Sequence, residues 1–335
     1  MNILFSLTNL SRGGAQLFVI HLAQEFAKEK QHKVYIYDHN PEYSSKEIYE
    51  YTKNKIDILS YSEKKITRFI ILRLNGLIKR LGINWNLRTS YNKFRFRKIL
   101  IKKKIELVNS NMSESDFICA EVIPDSIKFI ATLHGEIELY SKKSETFIKV
   151  EKLLDRKPLI IYTADKNKKI IEQLLTKKKI ENEKVYIGIN PSSFIIKKIN
   201  KQQLFDSENV FILGMISRGI PEKGWSFLIN LFVKLSEKND QIRLLLIGDG
   251  NYLSTIVREI NNPKIKLIQL SENFQDYFSY YQVMDLFIFP TFFEGESVPT
   301  VVAESLFWEI PVVANDHAEI KNMIKTDHEI GRAHV

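Results

Sequence analysis

Two glutamates with seven residues between them, Glu296 and Glu304, stand where a strand pattern gives way to a helical pattern. The strand pattern ends at Pro290, Ser297 is suited to cap the helix that follows, and Pro299 suits its first turn. The two glutamates can then contact different parts of one ligand, while the first amide groups of the helix face a phosphate between them. The alternative is an acidic loop followed by a solvated helix glutamate.

A loop with two cations, Arg218 and Lys223, follows the strand pattern of residues 210–216. A guanidinium and an ammonium five residues apart, at the carboxyl end of a strand, are suited to hold a diphosphate. Two solvated charges on a surface loop are the alternative. The loop position and the nearby Gly219 and Gly224 favour binding.

A histidine, His134, follows the strand pattern of residues 128–133 and precedes Gly135. At the end of a buried strand it could take part in proton transfer or hydrogen-bond a sugar hydroxyl. A partly exposed loop histidine is the alternative, and the residues themselves do not decide between the two.

Two glycines, Gly13 and Gly14, lie between the first strand pattern and a helix that continues through Lys28. Glycines at such a turn let the backbone approach a ligand, and the helix start presents amide groups to an anion. A plain tight turn is the alternative. No G-x-G-x-x-G dinucleotide fingerprint follows the strand.

Short apolar runs alternate with helical patterns along the chain, which predicts parallel strands with helical crossovers and an α/β fold. A polar, lysine-rich passage at residues 190–209 separates two series of strands, so we place a domain boundary near residue 192. We expect two Rossmann-like, doubly wound domains, residues 1–192 and 193–335, whose sheets face a central cleft that holds a nucleotide. The predicted strands are residues 2–7, 33–37, 56–59, 105–109, 128–133, 159–163, 184–189, 210–216, 242–247, 265–267, 286–290 and 311–314.

The composition restricts the class of protein. A content of 44% apolar residues excludes a disordered or fibrous chain, and the net charge of +9 suggests phosphorylated or polyanionic partners. The single cysteine, Cys119, and the lack of zinc-ligand spacing predict a reducing compartment and no metal. No apolar run reaches bilayer length and no leader pattern precedes the first strand, so we expect a cytoplasmic protein.

The last seven residues, 329–335, do not resemble the end of a domain. The pattern stops one strand and one helix into a β/α unit, with no closing helix. We expect the second domain to be truncated here, the natural chain to continue beyond residue 328, and residues 329–335 to be artefactual.

Together, these stretches resemble the GT-B glycosyltransferases, specifically family 4, also called glycosyltransferase group 1. The resemblance covers nearly the whole chain. It rests on Gly13-Gly14-Ala15, Thr132-Leu133-His134-Gly135, the Arg218 and Lys223 pair, Leu246-Ile247-Gly248-Asp249-Gly250, and Glu296 to Glu304 followed by Pro311-Val312-Val313-Ala314.

The resemblance implies a retaining, metal-independent hexosyltransferase without a cofactor. It would move a sugar from a nucleotide-diphosphate donor, bound by the second domain, to a glycan or lipid-linked acceptor on the side of the first. Such relatives commonly act in surface polysaccharide or lipopolysaccharide synthesis.

The resemblance also assigns roles to residues. Arg218 and Lys223 would neutralise the donor diphosphate, Glu304 would hold the ribose hydroxyls, Glu296 would contact the donor sugar, and His134 would face the reacting centre. Glu294 is a second choice for the first glutamate, but only Glu296 has seven residues between it and Glu304. The residues assigned to the donor are Gly13, Gly14, Arg218, Lys223, Glu296, Ser297, Val298, Thr300 and Glu304.

Residues 64–104 contain fourteen Lys or Arg and no acidic residue. If residues 65–81 form a helix, it has an apolar face and a basic face, which suits docking on an anionic inner membrane leaflet. A core-facing helix with a solvated basic back is the alternative. The apolar face contains Ile66, Ile70, Leu74, Leu77, Ile78 and Leu81, and the basic face contains Lys65, Arg68, Arg73, Lys79 and Arg80.

Two other functions compete with the transferase. A nucleotide-sugar epimerase would share the two-domain build. A nucleic-acid-binding protein would use the basic segment, but it leaves the paired glutamates unexplained, so we expect no nucleic-acid partner. The aromatic residues that could stack on bases are Phe69, Trp85, Tyr91, Phe94 and Phe96.

Overall fold

The computed structural model describes residues 1–60, 65–82, 86–135, 144–165, 167, 172, 179–190, 194–270 and 276–324. The chain divides into two compact units, Met1–Val185 and Tyr186–Val335. The boundary predicted near residue 192 lies outside the described residues, as do Trp85 and the tail at 329–335.

The first unit is built on a seven-stranded parallel sheet. Its strands are β1 Asn2–Leu7, β2 Lys33–Asp38, β3 Asp57–Ser60, β4 Leu107–Asn111, β5 Lys128–Leu133, β6 Leu159–Tyr162 and β7 Asn182–Lys184. Their order is β3-β2-β1-β4-β5-β6-β7, so the chain returns to the far side of β1 after β3. The strand order therefore reverses between β1 and β4, the switch point of a doubly wound sheet.

The first helix shows how a helix covers this sheet, by burying one apolar stripe. In the first helix Val19, Ile20 and Ala23 are fully buried, at the spacing of one helix face. Leu4 of β1 packs in one cluster with Phe96. The described helices of this unit are α1 Gly14–Lys28, α2 Lys46–Lys53, α3 Lys65–Arg80, α4 Leu87–Lys102, α5 Ser113–Val122 and α6 Ser144–Asp155.

The second unit repeats this plan with five parallel strands. They are β8 Phe211–Ile216, β9 Ile242–Ile247, β10 Ile265–Ile268, β11 Leu286–Phe289 and β12 Val312–Ala314. Their order is β10-β9-β8-β11-β12, so the switch point lies between β8 and β11. The described helices are α7 Lys201–Phe205, α8 Trp225–Lys238, α9 Asn251–Ile260, α10 Thr300–Phe307 and α11 Ile320–Met323, with 3-10 turns at Pro221–Lys223 and Tyr277–Val283.

The central strand β8 shows why the apolar runs are continuous. Leu213 and Met215 pack into the cluster on one face of the sheet, and Ile212 and Ile216 pack into the cluster on the other. A parallel strand that is covered on both faces needs apolar residues at every position. The α/β prediction is therefore confirmed.

One predicted strand is misplaced. The sequence pattern suggested residues 184–189, whereas β7 spans Asn182–Lys184 and pairs with β6. Val185 and Tyr186, which made the later residues look like a buried strand, are 39% and 77% exposed. An edge strand buries fewer side chains than a central one, so an apolar pattern there is a weak guide to its position.

Candidate functional site

Three loops at the carboxyl ends of β8, β9 and β11 meet in the second unit because glycines let their backbones touch. The Gly219 N–H donates to the Asp249 carbonyl at 2.7 Å, and a Cβ on Gly219 would lie 2.2 Å from that oxygen. Gly224 has a φ of +80°, and a Cβ there would lie 2.3 Å from the Pro290 carbonyl oxygen. The loop that carries Arg218 and Lys223 is therefore held directly against the loop that follows β11.

Lys223 is the centre of this loop cluster. Its side chain is 5% exposed and its ammonium group donates to Glu296 Oε2, which also accepts from Thr291 Oγ1 at 3.3 Å. Burial lowers the pKa of Lys223, and the positive charge of Arg218 lowers it further, whereas Glu296 raises it. An ammonium group has three protons, so Lys223 can bind Glu296 and still donate to an anion.

Arg218 lies at the exposed side of the cluster. Its carbonyl accepts from the indole N–H of Trp225 at 2.8 Å, and Trp225 is fully buried at the start of α8. Its guanidinium carbon lies 5.2 Å from the ring centre of Phe293, and the Lys223 nitrogen lies 4.9 Å from the same ring centre. Both cations are thus placed beside one aromatic ring, within the range of a cation–π interaction.

The structure also distinguishes Glu294 from Glu296, the two candidates for the first glutamate of the pair with Glu304. Glu296 is half-buried and pairs with Lys223, whereas Glu294 is exposed. The prediction that spacing selected, Glu296, is the one that lies with the two cations.

Glu304 is 3% exposed and is held by two tyrosines. The Tyr277 hydroxyl donates to Oε1 and the Tyr281 hydroxyl lies beside Oε2, each at 2.9 Å. The Tyr281 hydroxyl is also 3.1 Å from the Val301 carbonyl, and its single proton can serve only one of these acceptors at a time. Burial raises the pKa of Glu304 to about 7, although both hydroxyl hydrogen bonds act in the opposite direction.

The start of α10 differs from the prediction for Ser297. The N-cap position is Pro299, and Thr300 is the first helical residue. Ser297 lies two residues before the cap, where its carbonyl accepts the Glu319 N–H at 3.2 Å, so the proposed cap is wrong. The extended backbone of Pro299 delays the helix, as its ψ of 114° shows.

The amide groups at this helix start remain suited to an anion. Val302 is the first residue of α10 whose N–H bonds to the Pro299 carbonyl, at 3.1 Å. The N–H groups of Thr300 and Val301 precede it and have no partner within the helix. Val298 and Thr300 are half-buried on either side of Pro299.

Residues after β12 support the same loop, and sequence reasoning missed them. Asn315 Nδ2 donates to the Thr291 carbonyl at 3.1 Å, and His317 Nε2 donates to the Phe293 carbonyl at 2.8 Å. The sequence signal that could have found them is their position, because both are polar residues close after β12, the strand next to β11. Tyr277 and Tyr281 were missed as well, because they reach Glu304 from a separate 3-10 turn.

In the first unit, His134 follows β5 directly and is half-buried. Its Nε2 lies 3.0 Å from Oδ1 of Asn111, the last residue of β4, and its ring meets Phe18 edge-on at 5.6 Å. Burial lowers the pKa of His134 to about 4, so the ring is neutral at neutral pH. Because Asn111 Oδ1 can only accept, Nε2 carries the proton and Nδ1 is an acceptor.

Gly13 and Gly14 form the start of α1. Gly13 is the N-cap with a φ of −165°, an extended conformation that any residue adopts. A Cβ there would lie 2.3 Å from Gln16 Oε1, the end of a flexible side chain. Their place in the site therefore stays a prediction, which rests on the amide groups of the helix start.

Two features are absent from the described residues, a metal-binding cluster and a membrane-spanning helix. Among them, no group of three or more His, Cys, Asp or Glu side chains is arranged to hold a metal ion. No helix in the described ranges has the length and apolarity needed to cross a membrane.

Residues 207–332, which carry the loop cluster, match the family model described as "Glycosyl transferases group 1". The uncharacterized glycosyltransferase MJ1059 of Methanocaldococcus jannaschii is 28% identical over 172 residues, 47% of this chain and 39% of that protein. The capsular polysaccharide biosynthesis glycosyltransferase CapM of Staphylococcus aureus is 30% identical over 111 residues, 32% of this chain and 28% of that protein. The chain thus spans less than half the length of both curated relatives.

A solved structure of Anabaena Alr3699/HepE in complex with UDP-glucose is similar over 97% of this chain and 83% of that one. The TM-score is 0.67 and the sequence identity is 15%. This likeness confirms the predicted two-domain, Rossmann-like GT-B fold. The second unit thus resembles a group 1 glycosyl transferase domain, and both curated relatives are named as glycosyltransferases.

Proposed function

We propose that the chain is a retaining, metal-independent glycosyltransferase of family 4. It transfers a sugar from a nucleotide-diphosphate donor to a glycan or a lipid-linked acceptor. The observation that carries the proposal is the cluster of Arg218, Lys223 and Glu296 at the switch point of the second sheet, within the residues that match the group 1 family.

The charges of this cluster suit a diphosphate. Two cations and one carboxylate leave one positive charge, and the amide groups at the start of α10 add the positive end of a helix dipole. Lys223 is buried, so its attraction for a phosphate is screened less than that of a surface lysine. Arg218 is exposed and can close on the outer phosphate with two hydrogen bonds.

The two glutamates suit hydroxyl groups. Glu296 accepts from Lys223 and Thr291 on Oε2, which leaves Oε1 to accept from a sugar hydroxyl. Glu304 is assigned to the ribose, and its carboxyl oxygens have lone pairs beyond the two used by tyrosines.

Transfer then follows a front-face path. The acceptor oxygen bonds to the anomeric carbon on the face from which the diphosphate leaves, the bond from that carbon to the phosphate oxygen breaks, and the acceptor proton passes to the departing diphosphate. Lys223 and Arg218 stabilise the negative charge that develops on the leaving group, and no metal ion is needed for that task. The neutral His134 accepts a hydrogen bond from a substrate hydroxyl through Nδ1.

The relatives indicate where such a reaction is used. CapM is described by its role in capsular polysaccharide biosynthesis, and the HepE structure holds UDP-glucose. We propose surface polysaccharide or lipopolysaccharide synthesis as the setting and a sugar nucleotide of that type as the donor.

Product analysis tests the proposal. The chain is incubated with isotopically labelled UDP-, GDP- and ADP-sugars, with EDTA, and with a bacterial lipid and glycan extract as acceptor. We expect labelled sugar in the acceptor fraction, with the anomeric configuration of the donor kept in the NMR spectrum. If the label stays on the nucleotide as an epimeric sugar in the presence of acceptor, the protein is an epimerase and not a transferase. Transfer that EDTA abolishes would contradict metal independence.

A further inference from the structure

Helix α3 and Leu81, the residue directly after it, expose a stripe of large apolar side chains. Ile70, Leu74, Leu77 and Leu81 are 50%, 42%, 54% and 73% exposed, and their spacing of four, three and four residues places them on one face. The neighbouring Ile71 is 6% exposed, so the helix is packed through an adjacent face. The core-facing interpretation of this apolar face is therefore wrong for these four residues.

Helix α8 has a shorter exposed row, Phe227, Leu231 and Leu235 at 36–49% exposure, but it also carries Glu237, whereas α3 carries no acidic residue. Single exposed leucines are common, but an aligned row of them marks a surface that binds something apolar. Phe69 extends the exposed apolar area at 57% exposure.

Basic side chains border the stripe. Arg73 and Arg80 are exposed and follow Ile70 and Leu77 by three residues, one turn along the helix. The Arg73 guanidinium lies 4.5 Å from the ring centre of Phe69. A guanidinium beside exposed aromatic and aliphatic groups is the arrangement of a helix that lies in a membrane interface.

Helix α4, which follows α3, adds positive charge, part of which is paired among the described residues. Arg88 pairs with Glu42 and Lys93 pairs with Glu121, both from outside the basic segment. Farther along, Arg97, Lys98 and Lys102 are exposed. Two helices in succession thus present a basic surface without an acidic residue of their own.

We propose that helix α3 docks on the anionic surface of a lipid bilayer, with the stripe from Ile70 to Leu81 inserted and Arg73 and Arg80 at the lipid phosphates. Anionic lipids provide both an apolar layer for the stripe and negatively charged headgroups for the arginines. A second copy of the chain would bring two basic faces together.

A single-stranded nucleic acid would use aromatic faces. In the predicted stacking set Phe96 is fully buried and Phe69 already contacts Arg73, while Phe94 is exposed. The proposal does not depend on the identity of the reaction.

Vesicle sedimentation at physiological salt tests this docking. The full chain is mixed with phosphatidylcholine vesicles, with and without phosphatidylglycerol. We expect binding only to the vesicles that contain phosphatidylglycerol. Failure of the full chain to bind these vesicles would overturn the proposal.

Two pairs of variants test the residues. Ile70→Ser with Leu74→Ser is compared with Phe227→Ser and Leu231→Ser, two exposed apolar residues at the same spacing on α8. Arg73→Gln with Arg80→Gln is compared with Lys234→Gln and Lys238→Gln, which are exposed on α8. Each variant is first checked for an unchanged melting temperature. If Ile70→Ser with Leu74→Ser melts early, Leu77→Ser alone replaces it.

The expected effects differ between the pairs. The α3 apolar pair should lower vesicle binding by about tenfold or more. The arginine pair should lower it by about fivefold per residue. The α8 pairs should bind like the parent, and equal losses in α3 and α8 variants would overturn the proposal.

Two alternative occupants have their own signatures. If Ile70→Ser with Leu74→Ser converts a dimer to a monomer in light scattering and the vesicles bind nothing, the stripe is a self-association surface. If single-stranded RNA is retained and vesicles are not, the basic segment binds nucleic acid.

Discussion

The two sheets have the same kind of switch point but different side chains at it. In the first unit, the end of β4 at the switch point and the end of the neighbouring β5 carry Asn109, Asn111, Thr132 and a neutral His134, joined by hydrogen bonds between amide, hydroxyl and imidazole groups. In the second unit, the loops after β8 and β11 carry charged groups that pair directly. The shared topology therefore fixes where a ligand site forms, while the side chains decide which chemistry it has.

This difference agrees with the proposed function, in which the first unit binds the sugar acceptor and the second unit binds the donor. Neutral hydrogen-bonding groups suit the hydroxyl groups of a sugar acceptor, and cations suit the diphosphate of a donor. The comparison can be broken by showing that charge in the second unit is not needed for donor binding, or that His134 is needed for it.

The largest effect is expected for Lys223→Gln. Removal of the ammonium group leaves the carboxylate of Glu296, whose side chain is 11% exposed, without its buried partner. The free energy of unfolding should fall by about 3 kcal/mol in urea titrations. The double variant Lys223→Gln with Glu296→Gln should recover most of this loss. Equal stability of parent and single variant would show that the pair is not a buried ion pair.

His134→Ala should leave donor affinity unchanged and lower kcat by about a hundredfold. A positioned imidazole contributes about that factor through proton transfer or a hydrogen bond to a reacting hydroxyl. Steady-state kinetics and a donor titration measure the two quantities separately. His32→Ala, in the same unit, is the control. A loss of donor affinity with unchanged kcat would reverse the roles assigned to the two units.

The raised pKa of Glu304 predicts a pH dependence of stability. The carboxyl keeps its proton in the folded chain up to about pH 7, whereas in the unfolded chain it ionises near its ordinary value of 4.5. Its contribution to stability is therefore fully present below pH 4.5 and is lost as the pH rises through about 7. Glu304→Gln, which cannot ionise, should lack this decline in urea titrations across that range. A parallel decline in both proteins would contradict the assignment.

A smaller effect is expected for Tyr277→Phe. This change removes one hydrogen bond to Glu304 Oε1 and should lower the free energy of unfolding by about 1 kcal/mol. Tyr43→Phe, whose side chain is 69% exposed, is the control and should change it by less than about 0.5 kcal/mol. If both variants lose the same stability, the tyrosine does not hold the glutamate.

Local pattern was enough to predict most of the framework. Parallel strands covered on both faces need unbroken apolar runs, so β8 and β9 could be located from composition and length. The edge strand β7 could not, because exposure at Val185 and Tyr186 removes that constraint.

The site was predictable where one loop carries the residues and not where distant segments meet. Arg218, Lys223 and Glu296 stood out because each lies in a loop after a strand. The tyrosines on Glu304 lie 27 and 23 residues from it, and no local periodicity links them. For α3, periodicity indicated the apolar face, but only the packing shows that this face is exposed.

A donor titration tests the central claim most directly, that the buried cation beside Glu296 binds a diphosphate. Calorimetry compares UDP-glucose, GDP-mannose and ADP-glucose on the parent, on Lys223→Gln with Glu296→Gln, and on Lys234→Gln with Glu237→Gln of α8 as a charge-matched control. We predict that at least one sugar nucleotide binds the parent and the control alike, and binds the loop variant at least about tenfold more weakly. Equal affinity for all three proteins would contradict the account.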